Sequence, residues 1–221
     1  MSFYVDHLYP HLVRTLGDPE PIRAIRQRII PQAEGVVLEI GAGSGANFAY
    51  YDPARVSKLY ALEPNQGMIR LAERNLCQTH LPVEFVGLPG ERIPLANGTV
   101  DTVISTFTLC TIANVKEALR GICRVLRPGG NLIFLELTRS DDPAVQRWQL
   151  RWEPIQHRLY AGLYLTRDIP TLLTDGCFQI ERVDTANLTS FPKSWAHVCW
   201  GAARRQSIHG RTRSSYLISD A

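Results

Sequence analysis

The apolar run Val36-Val37-Leu38-Glu39-Ile40 passes without a spacer into Gly41-Ala42-Gly43-Ser44-Gly45-Ala46-Asn47, and few local structures satisfy such a junction. A short run with β-branched members reads as a strand buried on both faces. Glycines placed directly after it permit a tight turn. They also let backbone N–H groups and a following helix N-terminus approach a ligand that a Cβ would hold off. The junction therefore predicts the opening unit of an α/β sheet, with a ligand held at the turn. Gly41, Gly43 and Ala46 equally satisfy the dinucleotide fingerprint G-x-G-x-x-G/A, so an NAD-dependent oxidoreductase stays open at this point.

The rest of the chain supports that class. Strand-length apolar runs recur at Val36–Ile40, Lys58–Leu62, Val83–Gly87, Val100–Ser105, Asn131–Leu137, Phe178–Val183 and Trp195–Ala203, with helical patterns between them, which predicts a mostly parallel sheet covered on both faces. The clearest helix spans Asn114–Leu126: Val115, Leu119, Ile122 and Leu126 share a face, Asn114 caps the start, and Arg127-Pro128-Gly129-Gly130 stops it and turns the chain into the next strand. With 221 residues, 45% of them hydrophobic, the chain supports one core, so residues 1–205 are expected to form a single domain. Two aromatic-rich segments fall outside the alternation: Ser2–Ile30 is expected to be a helical lid, and 140–175 a helical insertion over the acceptor site. Residues 206–221 are polar and basic and are expected to form a mobile tail.

Other positions narrow the ligand. Glu63 closes the second strand 22 residues after Gly41, where a carboxylate can accept both hydroxyls of a ribose. Glu39 stands just before the loop and suits a ligand with an α-amino group and no pyrophosphate, which argues against NAD. No Tyr-x-x-x-Lys pair is present for hydride transfer. Gly90 can offer backbone groups to an adenine edge, and the fourth strand ends at Ser105-Thr106-Phe107, beneath the expected reactive end of the ligand.

Leu38-Glu39-Ile40-Gly41-Ala42-Gly43-Ser44-Gly45, Leu62-Glu63-Pro64, Asp101-Thr102-Val103-Ile104-Ser105 and Val125-Leu126-Arg127-Pro128-Gly129-Gly130, in that order, resemble the motifs of class I S-adenosylmethionine (SAM)-dependent methyltransferases of the type 11 domain. The resemblance implies a Rossmann-like sheet of seven strands with an antiparallel last strand. It places SAM at Glu39, Gly41, Gly43, Gly45, Glu63, Gly90, Glu91 and Thr106, with Ala42, Asn47, Pro64, Asn65, Met68 and Phe107 beside them. Phe3-Tyr4, Gly45-Ala46-Asn47-Phe48, Thr108-Leu109-Cys110, Leu165-Thr166-Arg167 and Trp200-Gly201-Ala202-Ala203-Arg204 are similar to small bacterial phospholipid- or quinone-methylating enzymes and to animal thiol methyltransferases. The chain departs from many of these at Pro89, where they carry Asp, and at Leu137, where they carry His.

The resemblance makes the chain an enzyme that methylates a small acceptor, with a phospholipid amine or a quinone-precursor carbon as alternatives to a thiol, and a non-catalytic SAM binder as an alternative of another class. Glu136 and His157 are the candidate catalytic groups; Tyr4, His7, Trp152, Tyr164 and Arg167 are the candidate acceptor contacts. The missing His at 137 favours a thiol, which ionises near neutral pH and needs the least help from a base. The 24 Lys and Arg against 21 Asp and Glu give no electrostatic case for nucleic acid. Five dispersed cysteines with no CxxC pair predict reduced thiols and no metal site. No run approaches the roughly 20 apolar residues of a membrane span, so the expected location is cytoplasmic and any membrane contact peripheral.

Overall fold

Seven strands form one sheet in the order β3-β2-β1-β4-β5-β7-β6. The computed structural model describes residues 19–159, 162–188 and 191–206. The strands are β1 (Gly35–Ile40), β2 (Val56–Leu62), β3 (Val83–Val86), β4 (Val100–Thr106), β5 (Leu126–Leu137), β6 (Phe178–Asn187) and β7 (His197–Arg205). Only β7 runs against its neighbours β5 and β6, as the resemblance implies. The described helices of more than one turn are α1 (Glu20–Ile29), α2 (Gln66–Arg74), α3 (Val115–Val125), α4 (Pro143–Leu159) and α5 (Ile169–Asp175).

Period-2 alternation divides each central strand between two cores. Leu38, Val103, Leu132 and Phe134 face the side covered by α3 and α5, whereas Val37, Ile104, Ile133 and Leu135 face the side covered by α1 and α2. Thr102–Thr106 of β4 and Leu132–Glu136 of β5 are thus buried on both faces, and Leu132–Leu135 reads as an unbroken apolar run. Asn114 caps α3 as expected, its side-chain oxygen accepting from the Glu117 N–H at 3.2 Å.

Two expectations need correction. Arg127–Gly130 is not a turn preceding β5 but a bulge within it: Leu126 pairs with Val100, and Asn131 with Thr102 two residues on. Gly129, at φ 77°, absorbs the extra chain. The cysteines are not all reduced, because Cys123 of α3 and Cys177 ahead of β6 form a disulfide with Cα atoms 6.3 Å apart. The two are 54 residues apart and meet because α3 and α5 cover the same face, which spacing alone cannot reveal. Cys110 and Cys199 are buried free thiols and Cys77 is an exposed one. The N-terminal part of the 1–30 segment and residues 207–221 lie outside the described residues, as do Tyr4 and His7.

Candidate functional site

At the carboxyl ends of β1, β2 and β4 the chain encloses a cleft of about 400 Å³. Its floor is the glycine turn. Gly41 has φ +62°, and a Cβ there would lie 2.2 Å from Thr108 Oγ1; a Cβ on Gly43 would meet nothing nearer than the Gly41 carbonyl at 3.9 Å and would project into the cleft. The glycines therefore clear space for a ligand against the backbone.

Two carboxylates and one cation set the electrostatics. Glu63 Oε2 accepts from the Gly43 N–H at 3.0 Å and Oε1 from the Asn65 N–H at 2.9 Å, so its second lone pairs remain to take hydroxyl donors. Asn65 also caps α2, accepting from the Met68 N–H at 3.0 Å, which fixes the end of β2 against the turn. Glu39, 1% exposed, accepts from Asn47 Nδ2 at 2.7 Å and from the Tyr51 hydroxyl at 2.7 Å. Burial raises its pKa from 4.5 to about 7 against the lowering effect of these two hydrogen bonds and of Arg26. Burial also raises Glu63, opposed by its two backbone donors.

The cation is Arg26, which donates to Asn47 Oδ1 and to Thr106 Oγ1 at 3.2 Å, and lies over the Phe107 ring at 5.8 Å. Sequence reasoning missed it. The signal was present: Arg26 sits four residues after Ile22 and three before Ile29 on α1, both buried, so helical periodicity turns it inward with them. Of the expected cofactor residues, all but Gly45 and Asn47 line the cleft. Asn47 stands behind it, tying Glu39 to Thr106. Thr108, Thr111, Ile112 and Ala113 line it as well and were not expected.

Neither candidate catalytic group is on the cleft wall. Glu136, 0% exposed, accepts from the Ser105 hydroxyl at 2.6 Å and from the backbone N–H groups of Thr108, Leu109 and Cys110 at 3.1, 3.0 and 3.1 Å. Three successive amides wrap one carboxyl, so Glu136 shapes the loop that carries Thr106, Phe107 and Thr108 and is a positioning residue. The bend it enforces includes Phe107 at φ +53°, a conformation that non-glycine residues rarely adopt. His157 is exposed and packs edge-on against Tyr164, ring centroids 4.6 Å apart.

Tyr164 carries Arg167 on its other contact, the guanidinium carbon 3.8 Å from the ring centroid. Arg167 donates to the carbonyls of Leu109 and Ala113. The expected acceptor residues Tyr164 and Arg167 therefore brace the 109–113 segment that forms one wall. Trp152 is elsewhere, 40% exposed in a separate cleft with Trp148 and Lys193. No group of three or more potential metal ligands is present among the described residues.

Residues 38–134 match the family model for the methyltransferase domain. That stretch resembles a methyltransferase domain. It is 35% identical over 142 residues to thiol S-methyltransferase TMT1A of Homo sapiens, covering 62% of this chain and 57% of that protein. It is 27% identical over 124 residues to a demethylmenaquinone methyltransferase of Clavibacter sepedonicus, covering 56% and 50%. The chain thus spans little more than half the length of these relatives. A solved SAM-dependent methyltransferase from Thermotoga maritima superposes with a TM-score of 0.64 at 17% identity, covering 92% of this chain and all of that one, which identifies the fold as that of SAM-dependent methyltransferases. The cleft described above lies within the matched stretch, apart from Arg26.

Proposed function

We propose that this chain transfers the methyl group of SAM to the sulfur of a small, largely apolar thiol. The observation that carries the donor half is the charge layout of the cleft: one buried guanidinium and two carboxyls around a glycine floor that a Cβ would fill. These residues fit the donor. Glu63 would take the ribose hydroxyls, Glu39 the α-ammonium, Arg26 the α-carboxylate, and the Gly90 backbone the adenine edge. When bound, SAM supplies an electrophilic methyl on a sulfonium. The chain's part is to hold the acceptor in line with it and to exclude water, effects worth up to several kcal/mol.

The acceptor half is supported by the thiol relative and by what the wall is made of. Phe107, Ile112 and Ala113 give it an apolar lining, and neither Glu136 nor His157 reaches it. A thiol with pKa ~8.5 is already a few per cent ionised at neutral pH and is the acceptor least dependent on a base. Segments 1–30 and 140–175 complete the enclosure in this reading, the first by supplying Arg26 and the second by the Tyr164–Arg167 brace.

The test is transfer of labelled methyl from SAM to an alkyl thiol, an amine phospholipid and a quinol precursor across pH. Thioether formation that rises with pH through the acceptor's own pKa is expected; methylation of the lipid or quinol without thiol activity would overturn the acceptor. Glu63→Ala is expected to weaken SAM binding by roughly 1.5–3 kcal/mol, the worth of hydrogen bonds to a charged group. Unchanged affinity by titration calorimetry would remove Glu63 from the donor site.

Glu39 predicts the pH dependence of donor binding. Its carboxyl is neutral below about pH 7, and only the ionised form pairs with an α-ammonium. SAM affinity should therefore rise with pH, approaching about tenfold per unit below 7, and fall again above about 8 as the α-ammonium loses its own proton. Binding below 7 should release a proton, seen as a dependence of calorimetric enthalpy on the buffer's ionisation heat. Glu39→Gln should flatten the rise, and a flat profile below 7 in the unmodified chain would contradict the pairing.

A further inference from the structure

We propose that the outward face of α4 docks on an anionic lipid surface. Helix α4 is inverted relative to a helix that packs on a soluble core. Its inward side is polar. Gln149, 1% exposed, accepts from the Ser140 N–H at 3.0 Å and donates to the carbonyls of Thr138 and Ser194, each at 3.2 Å. Gln146 donates to the Ser140 carbonyl at 2.7 Å, and Glu153 accepts from the Thr166 N–H and hydroxyl at 2.8 and 2.7 Å. Residues 146, 149 and 153 are three and four apart and share one side of the helix.

A second stripe, at 148, 152 and 155, lies a quarter-turn or more round the helix, is apolar and faces solvent. Trp148 is 55% exposed, Trp152 40% and Ile155 49%. The two tryptophans stack, with centroids 6.4 Å apart and planes within 13°. Fixed polar contacts beneath hold this face outward, because turning it in would strip Gln149 and Glu153 of buried partners.

Charge identifies what covers it. Arg147 and Arg151 are exposed and lie one position before each tryptophan, and Lys193 stands across the cleft from the pair. The carboxylates nearby are Glu153, turned inward to Thr166, and Asp141 and Asp142 at the start of the helix, of which Asp141 is 92% exposed on its side chain and lies 3.8 Å from His197. The aromatic stripe is thus bordered by cations along its length and by acids only at one end. Tryptophan settles at the level of lipid headgroups, and arginine beside it is drawn to anionic ones. A 17-residue helix, about 25 Å long, lying flat with this face down has the form of an interfacial helix. A second copy fits less well: twofold pairing would crowd the arginine borders together, and one helix face falls short of the roughly 800 Å² per partner of a stable interface.

The test uses the full chain with vesicles of phosphatidylcholine alone and of phosphatidylcholine mixed with phosphatidylserine, read by co-sedimentation and by the tryptophan emission maximum. Binding to the mixed vesicles with a blue shift is expected. Trp148→Ser with Trp152→Ser should lower partitioning about tenfold or more. Arg147→Gln and Arg151→Gln should each lower it about fivefold on mixed vesicles and leave neutral ones unaffected. Circular dichroism confirms that the surface variants fold. Failure of the full chain to bind either vesicle, or equal binding by the double tryptophan variant, overturns the proposal, as does a concentration-dependent dimer that the tryptophan substitutions dissociate.

Discussion

Glu136→Ala is expected to destabilise the protein by about 3–5 kcal/mol and to abolish methyl transfer. The variant leaves the N–H groups of Thr108, Leu109 and Cys110 and the Ser105 hydroxyl without their acceptor in a site that is 0% exposed. Each buried donor left unmade costs about 1–3 kcal/mol, only partly recovered by entering water. Burial raises the pKa of the carboxyl against the lowering effect of its four hydrogen bonds, so relief of a desolvated group offsets part of their loss and keeps the cost below the sum over four donors. Glu136→Gln separates acceptor capacity from charge. Three of the four donors converge on Oε1, which an amide oxygen replaces, whereas the amide nitrogen would face the Cys110 N–H donor to donor; about 1–2 kcal/mol is expected. Urea denaturation with an unchanged m-value checks both. Equal losses in the two variants, or a loss below 1 kcal/mol in Glu136→Ala, would refute the anchoring role.

Gly41→Ala is expected to cost about 2–5 kcal/mol and most of the donor affinity. At φ +62° an L-residue pays about 1–2 kcal/mol. The added methyl would sit 2.2 Å from Thr108 Oγ1 and 2.6 Å from its Cγ2, and overpacking of this kind costs a further 1–3 kcal/mol. The second contribution is separable. Thr108→Ala removes the two nearest colliding atoms, leaving its Cβ at 2.9 Å, at the expense of hydroxyl hydrogen bonds to the carbonyls of Thr106 at 3.1 Å and Gly41 at 3.5 Å. Combined with Gly41→Ala it should recover roughly the overpacking share, leaving the backbone share in place. Additivity of the two substitutions in thermal unfolding would show that the contact is absent.

The strands of the sheet, the Asn114 cap, the glycine turn and the two carboxyls at the ends of β1 and β2 were legible in the chain, because each is dictated by neighbours within a few residues or by a fixed spacing along one strand-turn-helix unit. Arg26 was half legible, since its place between Ile22 and Ile29 shows that it turns inward but not that the inward direction is a ligand cleft. Glu136 was found for the wrong reason. Its position at the end of a strand is a matter of sequence; that three successive amides from the end of β4 close around it is a matter of the parallel pairing of β4 with β5.

What the sequence by itself determined is therefore the class of sheet, its order of elements and the location of the glycine-floored cleft, all of them consequences of periodicity and of glycine's missing Cβ. Tertiary structure alone decided the rest. It joined Cys123 to Cys177 across 54 residues, drew the Tyr164–Arg167 brace against the 109–113 wall, and turned α4 so that its glutamines face the protein and its tryptophans face out. The apolar periodicity of α4 says only that one face differs from the other. Which face points inward depends on the partners that Thr138, Ser140, Thr166 and Ser194 present to it, and those are brought together only when β5 and β7 have paired.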